Sequence, residues 1–185
     1  MSLDDTIAAI ATPLQPSGIG VIRISGNQAV YMVGRLFKGG TEKLEKTESN
    51  KLVHGWIHDN EKFIDRVLVI IMRSPRSYTT EDVVEIQCHG SPLIMRSILD
   101  LLLRQGARLA DSGEFTQRAF LHGRIDLTQA EAVLDLVHAS SELGSELAVQ
   151  QLQGKLYNEI EEVKKQVLAT ASLVEASIEF PEEDV

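Results

Sequence analysis

Three isolated charges carry the chemistry that can be read first in this chain of 185 residues. Arg23 stands between Ile22 and Ile24, Glu85 between Val84 and Ile86, and Arg124 in the tight segment His122-Gly123-Arg124-Ile125-Asp126. A charge among apolar neighbours must meet water, a partner charge or a ligand. Each of the three also fits an ordinary surface or salt-bridge residue. Taken together they offer a pocket, with guanidinium groups for a ligand carboxylate or carbonyl and a carboxylate for a pair of ring N–H groups. Both side-chain types suit planar, bidentate recognition.

Other candidates are weaker. Cys88-His89 suggests a nucleophile beside its base, but adjacent strand residues point to opposite faces. Cys88 alternates with Val84 and Ile86, which favours a buried, inert thiol. His54 and His58 share a side of a strand, yet nothing brings His89 or His122 to them as further metal ligands, so all four read as surface histidines. The glycines of Ser17-Gly18-Ile19-Gly20 precede or open a strand, whereas a phosphate cradle needs them after a strand and before a helix. No G-x-x-x-x-G-K-[ST] segment occurs in the sequence.

Positioning these residues requires a sheet. Short strands are expected at Thr6–Thr12, Gly18–Ser25, Lys51–His58, Phe63–Met72 and Glu81–His89. The unbroken apolar run Val67–Met72 predicts a strand buried on both faces. In Glu81–His89, Val84, Ile86 and Cys88 share one face, and Glu85, Gln87 and His89 the other. Gln28–Phe37 reads as a short helix ended by Gly39-Gly40. A clearer helix follows Ser91 as cap, with Pro92 at its first position, Gly106 beyond its end and a stripe of Leu93, Ile94, Ile98, Leu101 and Leu102. Glu114–Leu121 reads as a short helix closed by Gly123.

From about residue 120 the pattern turns helical. Asp126 and Gln129 form a capping-box pair before a helix at Leu127–Ala139. From Ser141 the spacing predicts one long helix to about Glu179, ended by Pro181, with an apolar stripe running roughly 39 residues or about 58 Å. Such a stripe needs other helices to cover it, and Leu127–Ala139 covers only part. The expectation is a fragment, or a subunit completed by another chain.

Composition bounds the function. The net charge is −9, with one cysteine and 43% apolar residues. No run of about 18 apolar residues is present, which excludes a membrane-spanning helix in the sequence. One cysteine excludes an internal disulfide framework, and a reducing, cytoplasmic setting is expected. Residues 1–125 carry a net charge of +1 and residues 126–185 one of −10. The acidic part is a poor surface for phosphate backbones, which need clustered Lys and Arg.

Several stretches resemble one family, the MnmE or TrmE tRNA wobble-uridine modification GTPases. They are Asp5–Pro13, Gly18–Gly26, Pro75–Thr79 with Glu81–Glu85 and Cys88-His89-Gly90, Gly113–Leu121, Gly123–Ala132 and Ile178–Asp184. The resemblance implies an α+β fold in two parts. Residues 1–120 would form a mixed-sheet domain related to folate-binding domains of one-carbon enzymes, and residues 121–185 the opening of an incomplete all-α domain. It also implies a homodimer through the first domain and a bound 5-formyl- or 5,10-methylene-tetrahydrofolate, contacted by Arg23, Glu85 and Arg124. No catalytic residue is expected within this stretch, and no metal ligand.

In the family a GTP-binding domain follows this point, using GTP, Mg2+ and K+. A flavin-dependent partner, MnmG, helps place a carboxymethylaminomethyl-type group at C5 of the wobble uridine of tRNA. A further folate contact comes from a lysine near the family's C-terminus that is absent here, so weaker folate binding is expected. Two other classes compete: a non-catalytic dimerisation scaffold, and a free-standing folate-dependent one-carbon transferase. A pocket uniting the three charges separates the first reading from the scaffold.

Overall fold

A computed structural model of the protein describes residues 4–40 and 43–179. It divides into two compact units, residues 1–124 and 125–185.

The first unit is built on a sheet. Its strands are β1 (Ile7–Ile10), β2 (Ser17–Ser25), β3 (Phe37–Gly39), β4 (Lys51–Asp59), β5 (Lys62–Met72), β6 (Val83–Gly90) and β7 (Arg108–Leu109), with α1 (Ala29–Leu36), α2 (Pro92–Arg104) and α3 (Glu114–Leu121) between or after them. The strand order is β3-β4-β5-β6-β2-β1-β7. All neighbours are antiparallel except β1 and β7, which run parallel. The expected α+β class and mixed sheet are therefore present.

Alternation along the strands decides where the core lies. Ile22, Ile24, Val67, Val69, Ile71, Val84, Ile86 and Cys88 form one face and pack with α1 and α2 in a single apolar cluster. On α2 the buried residues are Met95, Ile98, Leu101 and Leu102, while Leu93 is 76% exposed. Of the expected stripe, Ile98, Leu101 and Leu102 are buried and Ile94 packs against the core, whereas Leu93 faces solvent and Met95 joins the buried side instead. Ser91 precedes Pro92 as expected but makes no side-chain cap bond.

The opposite face is only half covered. Register sets Gln87 between Val21 and Leu68, and Glu85 between Arg23 and Ile70. Leu68, Ile70 and Met72 are half-buried, so β5 is not buried on both faces as its apolar run predicts. An antiparallel sheet can leave one face partly open, and apolar residues there do not require a second layer of helices. A register shift at Ile57/His58 places its extra residue, Ile64, on β5, so the alternation along β4 that sets His54 and His58 on one side is kept.

The second unit contains α4 (Leu127–His138), α5 (Glu142–Leu152) and α6 (Lys155–Glu179). Asp126 Oδ1 accepts from the Gln129 N–H at 2.9 Å, and Gln129 Oε1 accepts from the Asp126 N–H at 3.0 Å. This is the expected capping box, closing α4 at its first turn. Gln129 Nε2 also donates to the Leu152 carbonyl at 2.8 Å, tying the start of α4 to the end of α5.

The single long helix expected from Ser141 is two helices. Gly154 has φ +78°, a left-handed conformation that glycine adopts without a Cβ clash. Its N–H donates to the Gln151 carbonyl at 2.9 Å, and α6 restarts with the Asn158 N–H on the Gly154 carbonyl at 3.0 Å. The apolar spacing survives the break, which is why periodicity alone reads through it. Ile160, Val163, Val167, Val174 and Ile178 are exposed along α6. Pro181, expected to end the helix, lies outside the described residues.

Candidate functional site

The open face of the sheet carries the first two candidates as direct neighbours. Arg23 on β2 is the register partner of Glu85 on β6. Arg23 Nε and Nη2 both lie 2.8 Å from Glu85 Oε1. Opposed on adjacent strands and pointing to the same side, the two side chains meet without reaching. They are 30% and 20% exposed, so solvent screens the pair and its net contribution to stability is small. Among the described residues no hydrogen bond engages Glu85 Oε2, which leaves lone pairs for a second donor.

Two aromatic rings flank the guanidinium. Its carbon lies 5.7 Å from the centroid of Tyr78 and 5.6 Å from that of Phe115. Tyr78 belongs to the β5–β6 connection and Phe115 to α3, and they are joined by the Tyr78 hydroxyl contacting Thr116 Oγ1 at 2.9 Å. Cation–π contact with both rings restrains the guanidinium. A planar ligand that donates N–H groups to Oε2 would find a carboxylate already oriented, beside an immobilised guanidinium and half-buried aromatic surface.

Arg124 is not brought into this cluster. It is exposed at the end of the first unit, where its N–H donates to the Ala119 carbonyl at 2.9 Å. Among the described residues no hydrogen bond or ion pair links its side chain to Arg23 or Glu85.

A second group of charges was not singled out by sequence pattern. Arg118 and Glu114 are each 1% exposed on α3, and they bond to Asp5, Glu81 and Arg108. Burial pushes the Glu114 carboxyl up, but hydrogen bonds from Arg108, the Asp111 N–H and Arg118 outweigh it and bring its pKa down to about 2. Asp5 is lowered too, first by its hydrogen bond from Arg108. Burial opposes the charge on Arg118, yet bonds to Asp5 and Glu114 raise its pKa above the usual value. The i,i+4 spacing of Glu114 and Arg118 was the one local signal of this group.

The remaining candidates have structural partners. His54 accepts from Arg66 Nε at 2.7 Å. His89 meets Asp65 through Nδ1 at 2.7 Å, and its N–H donates to the same carboxylate at 2.8 Å. The Cys88 thiol is buried and lies 3.5 Å from the Gly20 carbonyl. Burial, with Asp65 nearby, pushes its pKa up to about 11. Gly18 and Gly20 lie within β2 rather than between a strand and a following helix, and Gly20 leaves room for the Met95 side chain of α2.

Residues 6–124 match the family model described as GTP-binding protein TrmE N-terminus. The chain belongs to that family. Residues 127–185 match a second model, the MnmE helical domain. Among curated relatives, the tRNA modification GTPase MnmE of Alkaliphilus metalliredigens is 50% identical over 188 residues, covering 100% of this chain and 41% of the relative. The proteins of the same name from Clostridioides difficile and Streptococcus thermophilus are 47% and 48% identical, covering 100% and 97% of this chain. The chain therefore spans about two-fifths of the length of these relatives. Among the described residues no helix is long and apolar enough to cross a membrane.

Proposed function

We propose that this chain is the one-carbon-folate-binding part of a tRNA modification GTPase. The observation that carries the reading is the Arg23–Glu85 pair, presented on the open sheet face between Tyr78 and Phe115. Glu85 accepts from the N–H edge of the pterin through Oε2, while Oε1 keeps its bond to Arg23. Arg23 supplies the positive charge beside the ring, with the aromatic rings of Tyr78 and Phe115 against its guanidinium. The family resemblance adds Arg124, exposed at the end of the unit and not joined to the pair, as a contact for a carbonyl or carboxylate of the bound molecule.

A 5-formyl- or 5,10-methylene-tetrahydrofolate supplies the one-carbon unit when bound. The residues of this chain bind and orient it, and none of them attacks or transfers that carbon. In the whole protein the unit forms a homodimer through its first part. The protein works in the cytoplasm with a flavin-dependent partner, MnmG. It completes the carboxymethylaminomethyl-type modification at C5 of the wobble uridine of tRNA, with GTP, Mg2+ and K+ engaged by a separate domain. The names of the relatives support the GTPase and tRNA parts of this reading.

The deciding experiment is calorimetric titration of 5-formyl-tetrahydrofolate into the wild-type chain and into Glu85→Ala. Saturable binding to the wild type and its loss in the variant are expected. No binding to the wild type refutes the reading, and equal affinity for both removes Glu85 from the site.

A further inference from the structure

The ion cluster on α3 makes none of the ligand contacts proposed above, yet it joins the two segments that carry the rings beside Arg23. Arg118 directs its five N–H groups into three carboxylates and one backbone carbonyl. Nε donates to Glu114 Oε1 at 3.3 Å. Nη1 donates to the Asp5 carbonyl at 2.9 Å and to Glu81 Oε1 at 3.0 Å. Nη2 donates to Glu114 Oε1 at 3.0 Å and to the Asp5 carboxylate.

These acceptors come from separate segments. Asp5 leads into β1, Glu81 closes the β5–β6 connection, and Glu114 opens α3. Glu81 passes the restraint on. Its second oxygen accepts from the Ser25 hydroxyl, two residues beyond Arg23 on β2, and that hydroxyl also lies 2.6 Å from Thr79 Oγ1. Thr79 follows Tyr78, and Phe115 sits one turn before Arg118 on α3. The two rings that flank Arg23 are thus carried by the two segments that Arg118 binds together.

We propose that Arg118, acting through Glu81, is a positioning residue of the folate site. It fixes Tyr78 and Phe115 against Arg23 and so sets the direction in which the guanidinium and Glu85 face the ligand. The inference rests on the folate reading. A guanidinium suits the task better than an ammonium, because its planar fork reaches several carboxylates at once in fixed directions. A buried charge group satisfied in this way tolerates few alternative arrangements, since any shift strands a carboxylate without a partner.

The test uses Glu81→Gln and Arg118→Lys in the 185-residue chain, either of which suffices if the other fails to fold. The first readout needs no ligand: the Arg23 Nε–H proton resonance, displaced by ring currents from Tyr78 and Phe115, moves toward the value of an unstacked arginine. Methyl signals of Ile22, Ile24 and Ile86 stay in place. The second readout is affinity for 5-formyl-tetrahydrofolate, expected to fall by about tenfold, as small misplacements of oriented groups commonly cause. Both changes together support positioning. Unchanged affinity in a folded variant overturns it, as does an affinity loss with the Arg23 signal unmoved. Absence of binding to the wild type overturns the folate reading itself, a result separable from the other two.

Discussion

Arg23 and Glu85 lie 62 positions apart in sequence and directly opposite each other in the sheet, with two guanidinium nitrogens 2.8 Å from one carboxylate oxygen. Among the described residues, hydrogen bonds engage one oxygen of Glu85. It stands on the half-covered face while the other face of the same strands is filled by α1 and α2. Position, rather than strength, makes it the candidate site.

Arg23→Lys is expected to separate binding from stability. The pair is partly exposed, so its loss should shift unfolding free energy by less than about 1 kcal/mol. An ammonium cannot reproduce the two-nitrogen contact or the stacking between Tyr78 and Phe115. Folate affinity should fall by about tenfold or more, given the worth of a bidentate charged contact. Urea unfolding and calorimetry on the same preparations check both parts. A stability loss as large as the binding loss would assign the pair a structural role.

Acid should loosen the fold through Glu114. Its carboxyl titrates near 2 when folded, against an ordinary value of 4.5. A lowered folded-state value means that the ionised form stabilises the native state fully above the ordinary value, and that this contribution disappears as pH falls from 4.5 toward 2. Asp5, also lowered, acts in the same direction. Glu114→Gln should be less stable than wild type at neutral pH and show a shallower dependence across that acid window. Urea midpoints measured from pH 6 downward check this, and parallel curves for the two proteins would contradict it.

Cys88 should be unreactive in the native state. Its thiol is buried, and with a pKa near 11 almost none of it is thiolate at pH 8. Labelling with a chromogenic disulfide at that pH should proceed only on the timescale of unfolding, and at once in denaturant. Rapid native labelling would place the sulfur at the surface.

The legibility of the fold differed by element. The β6 alternation was readable because one face is packed and the other is not, so Val84, Ile86 and Cys88 separate from Glu85, Gln87 and His89. Asp126 and Gln129 announced a helix start through local geometry alone. Val67–Met72 misled, since apolar residues on a half-open face look the same in sequence as residues buried twice. Gly154 misled in the other direction, because the apolar spacing continues through a backbone break that only its dihedral angle reveals.

The site was legible only in part. Arg23 and Glu85 stood out as charges among apolar neighbours, but their direct pairing depends on strand order, which no local pattern states. Tyr78 and Phe115 gave no sign of their role because each sits in a segment whose placement is decided elsewhere. Arg118, in a short helix with an ordinary mixture of residues, shows its importance only once Asp5 and Glu81 arrive from distant parts of the chain.

The central strand order has a consequence for how the protein is made. Arg23 leaves the ribosome well ahead of the strand that bears its partner, and at about 5–20 residues per second the wait lasts several seconds. During that interval β2 can pair with β1 but offers an unfilled edge where β6 belongs. The Arg23–Glu85 pair therefore forms only after the middle of the sheet has been sealed, and a nascent chain stalled before Glu85 would carry every residue of β2 without that pair.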